Sequence, residues 1–234
     1  MKAMWLAARS VSEVMDNAAT KVRWRRAAAV MLLLSGAQPA AAVSINVVDQ
    51  DGVPVSHAVV TLTPAAAEAS APGAAPLVAE MRQQGQAFLP HVISVPRGAS
   101  VRFPNFDDTQ HHVYSFSPAK VFELPLFGGD EPPPVTFDQP GVVAVGCNIH
   151  DHMRGFIVVT EAPLHGVTDE AGQVTFDDLQ PGAYLLSLWH ERASAPPATE
   201  AVDLATASAV LHRSLPLSPP PQPVIRGLRN WAQQ

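Results

Sequence analysis

The sequence predicts an all-β chain built as two small β-sandwiches. Three observations point there. The 234 residues contain 23 prolines, too many for an uninterrupted helical bundle. Short β-branched runs such as Val59-Val60-Thr61-Leu62 recur with turn signals between them, as strands of sandwiches do. No stretch of useful length carries a helical period. The same composition excludes other classes. One cysteine cannot form a disulfide within the chain, 47% hydrophobic residues are enough for a core, and a net charge of −6 does not suit a nucleic-acid binder.

Residues 1–42 read as a secretory signal. Lys21, Arg23, Arg25 and Arg26 precede the apolar run Ala27 to Leu34, and the small triplet Ala40-Ala41-Ala42 follows Pro39. A basic segment, a short apolar core and an A-x-A site predict cleavage before Val43. The apolar run is shorter than the ~20 residues a membrane span needs, and no other run is long enough. Met15 would give the signal an ordinary length, so translation is expected to start there. The signal takes six of the 15 basic and two of the 21 acidic residues, which leaves 9 and 19 and a net charge of −10. An exported chain with one cysteine needs a reason for that cysteine.

The exported part reads as short strands in order. Ser44–Val48 leads into the turn Asp51-Gly52-Val53-Pro54, and Val55–Thr63 follows. Residues 43–63 form one opening segment, and the Ala/Pro/Gly-rich residues 64–76 a linker. Residues 77–162 then hold strands at Leu77–Arg82, Ala87–Val95, Ser100–Phe103, His112–Phe116, Lys120–Leu124, Val135–Phe137, Val142–Val145 and Gly155–Thr160. The segment 163–217 carries Val174–Phe176, Tyr184–Trp189, Ala201–Leu204 and Ala209–Leu215, with Tyr184 and Trp189 expected in its core. Residues 218–234 open with a proline run and are expected to be extended or disordered.

The lone cysteine lies in Gly146-Cys147-Asn148-Ile149-His150-Asp151-His152-Met153. Upstream, Asn105-Phe106-Asp107-Asp108 precedes His111-His112-Val113. Thiolate, imidazole and thioether share one tight loop, and a second imidazole can arrive from a neighbouring strand. Two histidines, one cysteine and a weak axial methionine are the donor set of a type 1 copper centre. Other readings of Cys147 are a buried small hydrophobe, a catalytic thiol, for which no acyl-transfer signature is present, and structural zinc, which takes more Cys or His and no Met.

From about Phe88 to Thr160 the sequence resembles the cupredoxins of the plastocyanin and amicyanin group. The resemblance rests on Phe88-x-Pro90, a strand ending in Gly98, Val101-x-Phe103-x-Asn105-x-Asp107, the His-x-Val strand and Cys147-x-x-His150-x-x-Met153. The His-His-Val-Tyr and Cys-Asn-Ile-His-Asp-His-Met runs also resemble exported cupredoxin-like proteins of methylamine utilisation. The resemblance implies a Greek-key β-sandwich and one type 1 copper ion on His111, Cys147, His150 and Met153. It further implies that Asn105 ties the ligand loops together and that the edge of His150 is an electron port; Leu126, Phe127 and Phe156 are candidates for the apolar rim around it. His112 and His152 depart from the pattern, and each either supplements or replaces its neighbour. Strand alternation lets only one of His111 and His112 face a metal. His57, His91, His165, His190 and His212 lack ligand spacing and read as surface or strand histidines.

A second pattern brackets the first. Val47-x-Asp49-x-Asp51-Gly52-x-Pro54 continues only at Thr168-Asp169-x-x-Gly172 and Phe176-x-x-Leu179-x-Pro181-Gly182-x-Tyr184. Together they resemble a carboxypeptidase regulatory-like, Ig-like β-sandwich, with the cupredoxin inserted between about Pro64 and Pro163. In that arrangement Val47 and Val59 should meet Phe176 and Leu185. The expected protein is a periplasmic, monomeric one-electron carrier and not an enzyme. Its acidic loops, with Asp107, Asp108, Asp130, Glu131 and Asp151, would steer a basic redox partner such as a dehydrogenase or a c-type cytochrome. The rival readings are a copper carrier or sensor without redox turnover, which would use His112 and His152, and a non-redox surface module.

Overall fold

The computed structural model describes residues 41–66, 77–129, 131–204 and 209–220. The leader up to residue 40, residues 67–76 of the expected linker, Asp130 and the tail from residue 221 lie outside the described residues. Among those described there is no helix, and therefore none long and apolar enough to cross a membrane.

Seventeen strands follow in chain order: β1 (Ala41–Val48), β2 (Val59–Pro64), β3 (Val78–Glu80), β4 (Arg82–Gln83), β5 (Phe88–Leu89), β6 (Val92–Pro96), β7 (Ala99–Arg102), β8 (His111–Ser117), β9 (Lys120–Phe127), β10 (Val135–Phe137), β11 (Gly141–Gly146), β12 (Arg154–Thr160), β13 (Leu164–Val167), β14 (Gln173–Leu179), β15 (Ala183–Trp189), β16 (Thr199–Asp203) and β17 (Ala209–Ser214). They form two sandwiches.

The first is built from β3 to β12. Its five-stranded sheet, in the order β6-β12-β11-β8-β9, faces the sheet β10-β7-β3, and the short β4-β5 pair stands beside them. Alternate side chains of both sheets fill one core, in which Phe88, Val101, Phe103, Phe137 and Ile157 are almost fully buried. Each such burial is worth roughly 1.5–3 kcal/mol. β12 shows how the sequence reports its surroundings. The run Phe156-Ile157-Val158-Val159 is apolar without a break because both faces are covered. Ile157 and Val159 face the core, while Val158 packs on Val59 and Val92 outside it.

The second sandwich is assembled from both ends of the chain. β1 pairs antiparallel with β14 and parallel with β17, and β2 lies between β13 and β15, with β16 at the edge. Ile45, Val47, Leu62, Phe176, Tyr184 and Leu186 share its core. Val47 thus meets Phe176's cluster, as the split motif required. Val59 does not: it faces Val92 and Val158 at the junction of the two sandwiches, and Leu185 is exposed. Trp189, expected in the core, also packs at that junction. β1 takes in Ala41 and Ala42, and Ser218 is held at the start of the tail by backbone and side-chain bonds with Arg192.

Candidate metal centre

Three elements carry the donors. β8 begins with His111, and its burial alternates, so that His111, Val113 and Ser115 face inward and His112 and Tyr114 outward. The register of β8 on β9 slips between His111 and Val113, a bulge of the kind that re-aims a side chain at a sheet end. β11 ends at Gly146, which lies opposite Tyr114. A side chain there would begin 3.3 Å from the tyrosine ring, so glycine lets the two strands close directly before Cys147. From Cys147 the chain turns back on itself. The Met153 N–H donates to the His150 carbonyl (2.9 Å), and the Cys147 N–H donates to the Met153 carbonyl (3.1 Å).

The result is a buried donor group. The Cys147 Sγ stands 3.9 Å from His111 Nδ1 and 3.7 Å from His150 Nδ1. Among the described residues, these three side chains are the one His/Cys/Asp/Glu group whose donor atoms all lie within 4.8 Å of one another. The imidazole centroids are 5.1 Å apart. His111 is fully buried, Cys147 is 4% exposed and Met153 2%, while His150 is only half-buried. Met153 shares the core cluster with Cys147. The four residues singled out from the sequence therefore arrive at one end of one core. A thiolate, two imidazoles and a thioether there fit a soft or borderline transition metal, and they fit hard oxygen-seeking cations poorly.

Asp107, expected among the acidic loops that steer a partner, has a carboxylate that supports the site from behind. His111 Nε2 meets Asp107 Oδ2 at 2.8 Å, which turns Nδ1 toward the sulfur. The same carboxylate accepts N–H bonds from Gly85 (2.6 Å) and Gln86 (2.9 Å). Burial opposes its ionisation, but the Gln86 amide, the His111 ring and the Gly85 amide outweigh that and hold the Asp107 carboxyl below its usual range. A carboxylate behind a ligand histidine fixes the tautomer and the ring orientation. Asn105 does tie the loops: its Nδ2 donates to the Thr109 and Phe127 carbonyls, and its Oδ1 accepts the Asp107 N–H. The signal for Asp107 was its spacing of four residues before His111.

The extra histidines do not join the group. His112 points away and meets Glu123 at 2.8 Å. His152 is exposed, its ring 6.1 Å from that of His150. The expected rim changes as well. Leu126 is exposed, but Phe127 leans on the core and Phe156 packs between His91 and Trp189 at the junction. Phe106 and Ile149, which flank Asp107 and His150 in sequence, are the exposed apolar residues of the ligand loops, 62% and 49% exposed.

No family model and no curated protein matches the chain. Among solved structures it is similar to a purple cupredoxin from Nitrosopumilus maritimus, with 24% identity over 35% of this chain and 99% of that one and a TM-score of 0.32. It is similar to a copper-containing nitrite reductase from Thermus scotoductus, with 29% identity over 44% of this chain and a TM-score of 0.35; the chain spans about a quarter of that reductase, 26%. It is also similar to a reduced variant of amicyanin, with 20% identity over 43% of this chain and 99% of that one and a TM-score of 0.34. All three scores lie below 0.5, and the reading of the centre rests on its own geometry.

Proposed function

We propose that the chain is an exported type 1 copper protein that carries one electron at a time between periplasmic redox partners. The observation that carries the reading is the convergence of His111 Nδ1 and His150 Nδ1 on the buried Cys147 sulfur, at 3.9 and 3.7 Å. When bound, copper would supply a Cu(I)/Cu(II) couple in this donor set. Cys147, His111 and His150 would be its strong ligands and Met153 the weak axial one. The chain's own part is rigidity. Strands β8 and β11 and the closed turn from Cys147 to Met153 fix the donors, and Asp107 fixes the ring of His111. Little rearrangement is then needed when the charge at the centre changes.

Half-buried His150 is the ligand nearest to solvent, and exposed Phe106, Leu126 and Ile149 provide an apolar surface for a brief encounter. The net charge of −10 after loss of the leader favours a basic partner, such as a c-type cytochrome or a dehydrogenase. No substrate bond is made or broken in this role. The orientation of His112 and the exposure of His152 favour electron carriage over a copper carrier built on extra imidazoles.

The test is Cu(II) addition to the purified exported chain, followed by visible and EPR spectroscopy. An intense thiolate-to-Cu(II) band that disappears in Cys147→Ser and persists in His112→Gln is the expected result. A spectrum unchanged by Cys147→Ser would remove the assignment.

A further inference from the structure

Two of the histidines that showed no ligand spacing, His57 and His91, are brought together by the fold. His57 lies between β1 and β2 of the second sandwich, His91 precedes β6 of the first, and Glu191 follows β15. At the junction the rings of His57 and His91 stand 5.5 Å apart between centroids, tilted by 52°. The pair that faces Cys147 is 5.1 Å apart, tilted by 61°. His91 also repeats the arrangement of His111: one ring nitrogen, Nε2, meets a carboxylate, Glu191 Oε1, at 2.9 Å. With Nε2–H donated to Glu191, the Nδ1 lone pair of His91 is left for another partner. Arg154 holds the other carboxylate oxygen from 3.6 Å.

We infer that His57 and His91 form a second metal site, one that bridges the two sandwiches, takes a borderline divalent cation such as Zn²⁺ or Cu²⁺, and has Glu191 as the carboxylate that orients His91. Imidazole pairs suit such ions, and the carboxylate behind the ring is the usual support for a ligand histidine. His57 has φ of 61°, a left-handed conformation uncommon outside glycine and of the kind that persists where the surroundings impose it. Burial first, then the neighbouring His91 ring, lower the pKa of His57, so its lone pair is available at neutral pH. His57 itself lines an open cleft of about 490 Å³, with Asp169 and Glu170 on the same cleft. His190, though close by, is a spectator. Its Nδ1 accepts the Arg192 N–H at 3.1 Å, which puts its proton on Nε2.

The experiment is a calorimetric titration of the exported chain with Zn²⁺, the redox-inert probe. Two equivalents are expected, one at Cys147 and one at the junction. His57→Asn, which tolerates positive φ and replaces an exposed side chain, should abolish the junction equivalent. Glu191→Gln should weaken it by about 10–100-fold, while Cys147→Ser should alter only the other. A stoichiometry that His57→Asn leaves unchanged would overturn the inference, whether the unmodified chain binds one equivalent or two. Because the His57 variant leaves the Cys147 group intact, failure here is distinct from failure of the copper reading.

Discussion

Replacing Asp107 with alanine tests how far His111, a ligand in the proposed centre, depends on a residue outside the donor group. The substitution removes one acceptor from three donors. The N–H groups of Gly85 and Gln86 belong to an exposed turn, so water takes over those two bonds and little is lost. His111 is different: it is 0% exposed, and its Nε2 has Asp107 as its partner at 2.8 Å. A hydrogen bond to a charged group is worth about 1.5–3 kcal/mol, and that is the expected loss in apo stability, read from urea unfolding. The same change frees the ring to rotate. Copper affinity, read by competition with a chelator, should fall by about 10–100-fold, which is about 1.4–2.8 kcal/mol. Asp107→Asn keeps one acceptor and should lose less on both counts. If Asp107→Ala unfolds within about 0.5 kcal/mol of the parent and binds copper equally well, the buttress has no role and the reasoning fails.

Acidification should weaken the junction before it touches the core. Burial lowers the pKa of His57, His165 and His190 below 6.5, so the unfolded chain takes up these protons first. Stability is then full above pH 6.5 and declines as pH falls below it. The urea midpoint should drop between pH 7.5 and 5, and less so in His165→Gln; a flat profile would contradict this. Gly172→Ala should destabilise the second sandwich by more than about 2 kcal/mol. Gly172 has φ of +72°, and a Cβ there would come 2.5 Å from the Val47 carbonyl oxygen. Thermal unfolding of the apo protein measures that loss, and an unshifted transition would refute the geometry.

What could be read from the sequence follows the range of each interaction. Cys147, His150 and Met153 lie on one turn, so their spacing alone announced them. His111 against His112 was decided by strand alternation, a local rule whose phase had to be seen. Asp107 was misread because a loop acid and a buttress look alike until Gly85 and Gln86 arrive from another strand pair. Phe156, a rim candidate from the sequence, lies on a strand with two covered faces and packs at the junction instead. The meeting of His57 with His91 has no local signal at all, since it depends on how one sandwich seats against the other.

The split sandwich also has a consequence for the order of folding. Its strands pair across long stretches of chain: Ser44 hydrogen-bonds Thr175 at a separation of 131 residues. Yet β2 and β13, the two strands that flank the insertion, lie side by side, with Leu62 opposite Leu164. Closing a flexible loop of roughly 100 residues costs about 4 kcal/mol of chain entropy, and pairings so distant in sequence form slowly. A folded insertion supplies that closure in advance by delivering its two ends as neighbours. The middle sandwich is therefore expected to act as a template for the outer one, with β1 and β2 pairing after it has folded.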